Sequence, residues 1–278
     1  MSRRQGARDL RSGRDRRTAR PAPVFDPDIT LSESDGVRYL HFGSEWIQGA
    51  MRVARPWSIE IDYQRHMMAW QLFLDGDADI LQIGLGAGAL TKFVHRYLPG
   101  ARTTVVEASA QVASVARSHF RLPADDDRLE TIIADGGAWV ATPGNRRRFD
   151  VIQVDAYDAE ARGPVLESEA FYRACARALR AAGLLVVNLF GEEPSFERNL
   201  DRIFEVFGAR VLLLPPVDAG NVVVLAFKGP ALDLAWSDLY ARAAVIEAHQ
   251  PLRAAGWVNA LKSRYGADAG NAEGRLRI

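Results

Sequence analysis

Cysteine is almost absent from this sequence, because Cys175 is the only one in 278 residues. A disulfide framework within the chain is therefore excluded, and nothing points to an oxidising compartment. The sequence also lacks any run of roughly 20 apolar residues, the length needed to span a bilayer. We therefore predict a cytoplasmic protein that has no membrane partner.

Net charge is absent as well, with 35 basic and 35 acidic residues, but the charges are unevenly placed. Residues 1–20 hold eight arginines against Asp9 and Asp15, which leaves 27 basic and 33 acidic residues in the remainder. The arginine-rich segment has neither aromatic residues nor periodicity, so we predict a disordered, solvated tail over residues 1–25. Contact with nucleic acid or an acidic surface is the less favoured alternative.

Apolar strand patterns alternate with helical patterns over most of the chain. Strands are predicted at residues 79–84, 102–107, 129–134, 149–155, 183–190, 209–214 and 221–228. Such alternation predicts an α/β fold with a mostly parallel sheet and helices on both faces. The last two strands are separated by too few residues for a helical crossover, so they should form an antiparallel hairpin at one edge. This arrangement is similar to the Rossmann-like sheet of AdoMet-dependent methyltransferases.

The flanking segments predict a small N-terminal β unit and a helical C-terminus. Residues 37–42 and 46–53 alternate partially and should form a hairpin, whereas residues 62–75 should form one linking helix. The predicted division is a tail, a β-hairpin unit with its linking helix, a Rossmann-like nucleoside-binding catalytic domain and terminal helices, at residues 1–25, 26–75, 76–230 and 231–278.

The most informative segment joins a buried strand to a glycine turn and a helix start. Gly84, Gly86 and Gly88 allow a sharp turn and a close approach of the backbone to a ligand. Glu107, at the end of the next strand, suits a contact to ribose hydroxyls. The spacing lacks the third glycine that seats a pyrophosphate, so it favours an adenosyl sulfonium ligand over NAD. An ordinary tight turn is the alternative.

Carboxylates also follow two later strands, at the edge where ligands bind in such sheets. Asp135, followed by Gly136, is placed to accept a hydrogen bond from an adenine amino group. Alternatively, Asp135 only caps the helix that begins at Gly136. Asp155 ends an apolar strand, and a carboxylate in that position needs a partner or a function because an unpaired buried charge is costly.

In this order the residues resemble the spermidine synthase (polyamine aminopropyltransferase) family. The likeness covers about residues 36–228, and its most specific part is the stretch from Asp155 to Asp158, which is similar to a family gate motif. The other residues that carry it are Gln48, Tyr63, the glycine turn, Glu107, Asp135, Gly136, Gly163, Pro164, Phe171 and Tyr172.

The resemblance implies a role for each of these side chains. Asp155 would deprotonate or orient the attacking amine, while Asp158 and Tyr63 would steer the polyamine. Gln48 would touch the donor, Glu107 would hold the ribose and Asp135 the adenine. The implied co-substrate is decarboxylated S-adenosylmethionine or S-adenosylmethionine itself, with no permanently bound cofactor, and the implied partners are a small amine and a second copy of the chain in a homodimer.

The sequence departs from the family where the amine would bind. Ala87 stands where the family has an aspartate in the glycine turn, and Gln64 and Arg65 replace a His-Glu pair after the tyrosine. Val217 stands in place of a second tyrosine, and Ala159 in place of the gate proline. We therefore expect poor discrimination between the two donors, and we expect Ala87→Asp to favour the decarboxylated one.

Two alternatives to aminopropyl transfer remain open from the sequence. An AdoMet-dependent methyltransferase on the same scaffold is favoured by the loss of the aspartate at Ala87. A catalytically silent nucleoside-binding homologue would explain the missing amine contacts. A metal site is not predicted, because the five histidines share no metal-ligand spacing.

Overall fold

The fold is described from a computed structural model that covers residues 27–156, 168–191, 194–217, 220–267 and 274–278. The strands are β1 (Ile29–Ser34), β2 (Val37–Phe42), β3 (Gly49–Arg52), β4 (Asp79–Ile83), β5 (Arg102–Glu107), β6 (Leu129–Ile133), β7 (Phe149–Val154), β8 (Leu179–Phe190), β9 (Val211–Leu213), β10 (Asn221–Phe227), β11 (Asp233–Ala235) and β12 (Arg275–Arg277). The α-helices are α1 (Asp62–His66), α2 (Ala89–Tyr97), α3 (Ala110–His119), α4 (Gly136–Val140), α5 (Glu169–Ala178), α6 (Phe196–Phe207), α7 (Trp236–His249) and α8 (Ala254–Tyr265), and two short 3-10 helices lie at Ala69–Leu72 and Pro143–Asn145. None of the helices in these ranges is long and apolar enough to cross a bilayer.

A seven-stranded sheet forms the centre of the molecule, in the order β6-β5-β4-β7-β8-β10-β9. The first five of these strands are parallel, and β10 pairs antiparallel with both β8 and β9. The predicted α/β fold with an antiparallel hairpin at one edge is therefore confirmed. The strands are apolar on both sides because helices cover both faces of a parallel sheet.

The N-terminal unit is a separate three-stranded antiparallel sheet in the order β1-β2-β3. Its first strand was not expected from the sequence, because Ile29–Ser34 has one half-buried residue followed by five exposed ones and contains only two apolar side chains. The single helix expected over residues 62–75 is also wrong. After α1 the hydrogen-bond pattern tightens, since the amide of Met68 donates to the carbonyl of Arg65, and the chain continues as a 3-10 helix.

The two faces of the central sheet pack against separate apolar cores. One core joins Met67–Leu72 and the helices α7 and α8 to the face that carries Ile80 and Val151. The other core packs α5 and α6 against the opposite face. The C-terminal segment is thus part of the main core, and it is not purely helical: β11 pairs antiparallel with β12. That pair is too short to give a sequence signal and joins residues far apart in the chain.

Candidate active site

The glycine turn after β4 has the backbone geometry that only glycine adopts readily. Gly84, Gly86 and Gly88 all have positive φ, at 88°, 51° and 67°. A Cβ on Gly84 would lie 2.1 Å from the carbonyl oxygen of Asp155, and one on Gly86 would lie 2.9 Å from the carbonyl oxygen of Gln48. The turn therefore brings the N-terminal sheet and the end of β7 into direct backbone contact at the carboxyl edge of the sheet.

Two buried polar side chains, Gln82 and Thr91, hold this turn through hydrogen bonds. The Nε2 of Gln82 donates to the carbonyl of Gly84 at 2.9 Å, and the hydroxyl of Thr91 donates to the Oε1 of Gln82 at 2.6 Å. Because Gln82 belongs to β4 and Thr91 to α2, these bonds fix the angle between the strand and the helix that follows it. The strand, turn and helix thus form one braced unit.

Glu107 lies at the end of β5 and is only 6% exposed. Its Oε2 accepts the backbone amide of Leu85 in the glycine turn, and its Oε1 accepts the amide of Ser109, both at 2.9 Å. Burial raises the pKa of Glu107, and these backbone donors oppose that rise. Each oxygen keeps a second lone pair, so a ribose contact remains compatible with this bracing role.

Asp135 is exposed and caps α4, because its Oδ1 accepts the amide of Ala138 at 2.6 Å. The capping bond considered in the sequence analysis is therefore present, and the Oδ2 makes no hydrogen bond within the described parts of the chain. Gly136 is the first residue of α4 and is buried. Asp135 follows β6, which neighbours β5, so Asp135 and Glu107 lie at the same edge of the sheet.

Asp155 is half-buried directly after β7 and is held by side chains from two other elements. The Oδ2 accepts the phenol of Tyr63 at 3.3 Å, and the Oδ1 accepts the amide of Asn188 at 3.1 Å. Burial raises the pKa of Asp155, and hydrogen bonds from Asn188, Gln64 and Tyr63 oppose the rise. The result is a carboxylate that is held in place and is a stronger proton acceptor than a solvated one.

The sequence reasoning missed three residues around this carboxylate. Gln64 is 5% exposed, donates to the phenol oxygen of Tyr63 at 3.4 Å, and has an Oε1 with no donor among the described residues. Asn188 receives at its Oδ1 the amide of Asn221, at 3.1 Å. Asn188 interrupts the apolar run of β8, and a polar residue in such a run is the signal that would have found it, whereas Gln64 lies in the polar segment of α1 and gives no such signal.

The other residues singled out from the sequence fall into three groups. Gln48 is half-buried, and its backbone amide donates to the carbonyl of Leu40 at 2.8 Å. Phe171 and Tyr172 are buried in the core beneath α5, so they are packing residues. Asp158, Ala159, Gly163 and Pro164 lie outside the described residues, as does the arginine-rich tail of residues 1–25.

Two of the departures from the family pattern have a structural explanation. Ala87 is 2% exposed and packs in an apolar cluster with Leu40, Phe42 and Phe120. A Cβ on Gly49 would lie only 2.5 Å from the Cβ of Ala87, so there is no open space beside this methyl group. The second departure with an explanation is Arg65.

Arg65 instead binds the backbone that precedes α1, since its Nε donates to the carbonyl of Ile59 and one of its terminal nitrogens to the carbonyl of Glu60, both at 2.9 Å. Its guanidinium therefore holds the start of α1. Within the described ranges, no three His, Cys, Asp or Glu side chains are grouped so as to hold a metal ion.

The comparisons with known proteins identify the family of the chain. Residues 60–210 match the family model of the spermine/spermidine synthase domain. The polyamine aminopropyltransferase of Chromobacterium violaceum is 36% identical over 256 residues, which cover 92% of this chain and 97% of that protein.

Two solved structures share the fold. A probable spermidine synthase from Corynebacterium glutamicum superposes with a TM-score of 0.63 at 20% identity, covering 75% of this chain and 81% of the other. A spermidine synthase in complex with the transition state analogue AdoDATO superposes with a TM-score of 0.55 at 22% identity, covering 86% of this chain and 89% of the other.

Proposed function

The chain belongs to the spermine/spermidine synthase family, and from this membership we propose that it transfers an aminopropyl group from decarboxylated S-adenosylmethionine to a polyamine. The observation that carries the proposal is the contact between Gly84 and Asp155. That contact sets a proton acceptor beside the turn that we assign to the nucleoside.

The nucleoside half of the site would use Glu107 for the ribose, Asp135 for the adenine amino group and Gly84, Gly86 and Gly88 for close backbone approach. Three features support this assignment. The glycines have positive φ, Glu107 touches the turn, and Asp135 keeps one carboxylate oxygen outside its capping bond. Gln48 would contact the donor from the N-terminal unit, because its carbonyl lies against Gly86.

The amine half of the site would use Asp155 as proton acceptor, with Tyr63 and Asp158 steering the polyamine. In the reaction a neutral amine nitrogen attacks the carbon next to the sulfonium, so that the N–C bond forms as the C–S bond breaks. The proton that the bound ammonium loses to become the nucleophile passes to Asp155, methylthioadenosine leaves, and the product nitrogen is a secondary ammonium. Polyamine nitrogens with pKa values near 10 are mostly protonated at neutral pH, so the carboxylate also favours binding of the cation.

Gln64 adds an acceptor to this half of the site. Its buried Oε1 lacks a donor among the described residues, and its Nε2 lies within hydrogen-bonding distance of the Tyr63 phenol. A buried acceptor without a donor is costly, and an ammonium or amine N–H of a substrate would satisfy it. Gln64 thereby offers a neutral contact at one of the positions where the family has a charged pair.

The absence of an aspartate at Ala87, which favoured a methyltransferase, no longer supports that alternative once the packing of Ala87 is known. The side chain of Ala87 is enclosed by the N-terminal sheet, so the missing aspartate is a matter of packing against Gly49. The silent homologue is likewise less favoured, because the pair formed by Tyr63 and Asp155 is intact.

We further propose that the protein is a cytoplasmic homodimer whose interface includes the N-terminal sheet. Four large apolar side chains of this unit are exposed, namely Leu31, Trp46, Ile47 and Val53. Their clustering within residues 31–53 supports a surface that a second copy covers. Sedimentation of the wild type and of Trp46→Ser tests this proposal, which requires a dimer that weakens in the variant.

The function is tested by incubating the purified protein with decarboxylated S-adenosylmethionine and each of a set of linear diamines and triamines. We expect methylthioadenosine and an amine lengthened by one aminopropyl unit, both detected by mass spectrometry. The control is Asp155→Asn under the same conditions. Binding of methylthioadenosine without transfer to any amine would contradict the proposed activity, and a methylated amine formed from S-adenosylmethionine would replace it.

A further inference from the structure

Asn188 and Asn221 form a chain of amide hydrogen bonds that ends on the proposed base. Val154 of β7 pairs in parallel with Val187 of β8, so Asp155 and Asn188 are the next residues of two neighbouring strands and lie side by side. The Nδ2 of Asn188 donates to the Oδ1 of Asp155 at 3.1 Å.

Asn221 fixes which way the amide of Asn188 points. It begins β10, where it pairs with Phe190, and its Nδ2 donates to the Oδ1 of Asn188 at 3.1 Å. Since the oxygen of Asn188 is engaged by this donor, the nitrogen of the same amide is the group that faces Asp155. The backbone of Asn221 is held in turn by two hydrogen bonds with Val217.

We infer that Asn188, locked in one orientation by Asn221, is a positioning residue that orients the carboxylate of Asp155 and stabilises its charge. This inference rests on the proposed function only for the role of Asp155 in proton transfer. The hydrogen bonds and their effect on Asp155 stand without it.

Asn188 donates to the Oδ1 of Asp155, whereas Tyr63 of α1 donates to the Oδ2. Among the described residues, the titratable side chain that hydrogen-bonds Asp155 is Tyr63 of α1, at the longer distance of 3.3 Å. Gln64, also from α1, is neutral. Glu107 of β5 is directed to the amides of Leu85 and Ser109, and Asp158 lies outside the described residues.

A shared chain of hydrogen bonds also connects Asp155 to the loop before β10. Val217 stands in that loop at a position that the family resemblance assigns to polyamine contact, and its amide donates to the carbonyl of Asn221 at 3.0 Å. A change in the loop that shifts Asn221 would therefore change the hydrogen bond from Asn188 to the carboxylate of Asp155.

The test is a titration of Asp155 by carbon NMR on the full chain labelled at the aspartate carboxyl carbon, with the signal assigned through Asp155→Asn. Asn188→Leu removes the amide donor and keeps the same branched arrangement of side-chain heavy atoms. We expect the midpoint of Asp155 to rise by about one pH unit or more, because burial is then opposed by fewer donors. Asn221→Leu should shift the midpoint in the same direction by less, because it removes the hydrogen bond that orients Asn188 but leaves the amide of Asn188 in place.

Asn199→Leu is the matched control. Asn199 is a fully buried asparagine that accepts the phenol of Tyr172 at 3.1 Å, beneath the opposite face of the sheet. This variant should be destabilised like Asn188→Leu and should leave the midpoint of Asp155 unchanged. A merely structural role for Asn188 predicts equal behaviour of the two variants, which would overturn the inference.

Kinetics provide the second readout. In Asn188→Leu the acidic limb of kcat/KM should move up with the carboxyl midpoint, and kcat should fall about tenfold while KM for the nucleoside donor changes little. If the wild type transfers no aminopropyl group, the proposed function fails, but the carboxyl titration still decides the role of Asn188.

A wild-type measurement covers the case in which Asn188→Leu does not fold. The side-chain amide resonance of Asn188 should shift with pH at the same midpoint as the carboxyl carbon of Asp155. An amide resonance that is insensitive to that titration would overturn the inference without any variant.

Discussion

The two halves of the candidate site are held together by different kinds of contact. In the nucleoside half, Glu107 binds two backbone amides, and the glycine turn is set by its own φ angles. In the amine half, Asp155 is held by Tyr63 and Asn188, two side chains from elements far away in the sequence. A substitution elsewhere cannot remove a backbone donor, whereas a single substitution removes a side-chain one.

This difference explains where the chain departs from its family. The three glycines of the turn and Glu107 keep the pattern of the resemblance, while the side chains at Ala87, Gln64 and Val217 differ from it. An amine contact made by a side chain can be replaced by another side chain that reaches the same point. The half built on the backbone has no such freedom.

The sharpest way to separate the halves is Asp155→Asn, which removes the charge and preserves the shape. Turnover should fall about a hundredfold or more, the scale of a positioned base, while methylthioadenosine affinity stays near the wild-type value. Steady-state kinetics and calorimetric titration measure the two quantities. Wild-type turnover in this variant would assign Asp155 a structural role and end the proposed mechanism.

Glu107→Ala, in contrast to Asp155→Asn, should mainly weaken the binding of the nucleoside. Binding of methylthioadenosine should weaken by roughly 2 kcal/mol or more, because charge-assisted hydrogen bonds in a buried site are lost and the amide of Leu85 loses its acceptor. Glu107→Gln should be intermediate. Circular dichroism verifies the fold, and unchanged affinity in a folded Glu107→Ala would remove Glu107 from the ribose site.

Lys92 should make the unfolding free energy of the protein depend on pH. It is 1% exposed in α2, and its Nζ donates to the carbonyl of Phe120 at the end of α3, at 2.8 Å. Burial lowers the pKa of Lys92 to about 7, from an ordinary value of 10.5. Between these values the unfolded chain binds more protons than the folded protein, so the contribution of Lys92 to the unfolding free energy rises with pH.

Lys92→Met should remove this dependence. The wild type should gain about 1 kcal/mol per pH unit relative to the variant between about pH 7.5 and 9.5, below the limit of about 1.4 for one group. Urea denaturation at the two pH values measures the difference. Parallel pH profiles for the two proteins would show that Lys92 titrates normally.

The smallest effect concerns the choice of donor. The sequence alone predicts that the wild type discriminates by less than about tenfold between S-adenosylmethionine and its decarboxylated form, since alanine at position 87 offers the donor's ammonium no carboxylate. The structure corrects the expectation for Ala87→Asp. Because Ala87 is enclosed beside Gly49, the added carboxylate should lower the unfolding free energy and leave the donor ratio unchanged.

Competition titration of the two donors against the wild type and Ala87→Asp measures the ratio, and thermal unfolding measures the stability. A wild type that strongly prefers the decarboxylated donor would show that another residue provides the ammonium contact. If Ala87→Asp keeps the wild-type stability and gains this preference, the expectation from the sequence that a carboxylate at position 87 favours the decarboxylated donor would be correct.

Local patterns in the sequence predict most of the fold but not the elements that lack them. The central strands and the edge hairpin follow from apolar runs and a short connection, and both are confirmed. The strand β1 was missed because its side chains are exposed, and β12 because it pairs with a strand more than 30 residues away. The helix expected over residues 62–75 breaks because Met67–Leu72 is buried on all sides, which gives no amphipathic period to extend α1.

The sequence by itself determined the sheet, the glycine turn and the position of Glu107, because strand periodicity, positive φ and a carboxylate at a strand end are local properties. Only the tertiary structure decided how Asp155 is held. Its partners Tyr63 and Asn188 lie 92 and 33 residues away, and no spacing rule relates them to it. Parallel pairing of β7 with β8 and the packing of α1 over the carboxyl edge create that environment, since hydrogen bonds between side chains depend on which elements become neighbours in space.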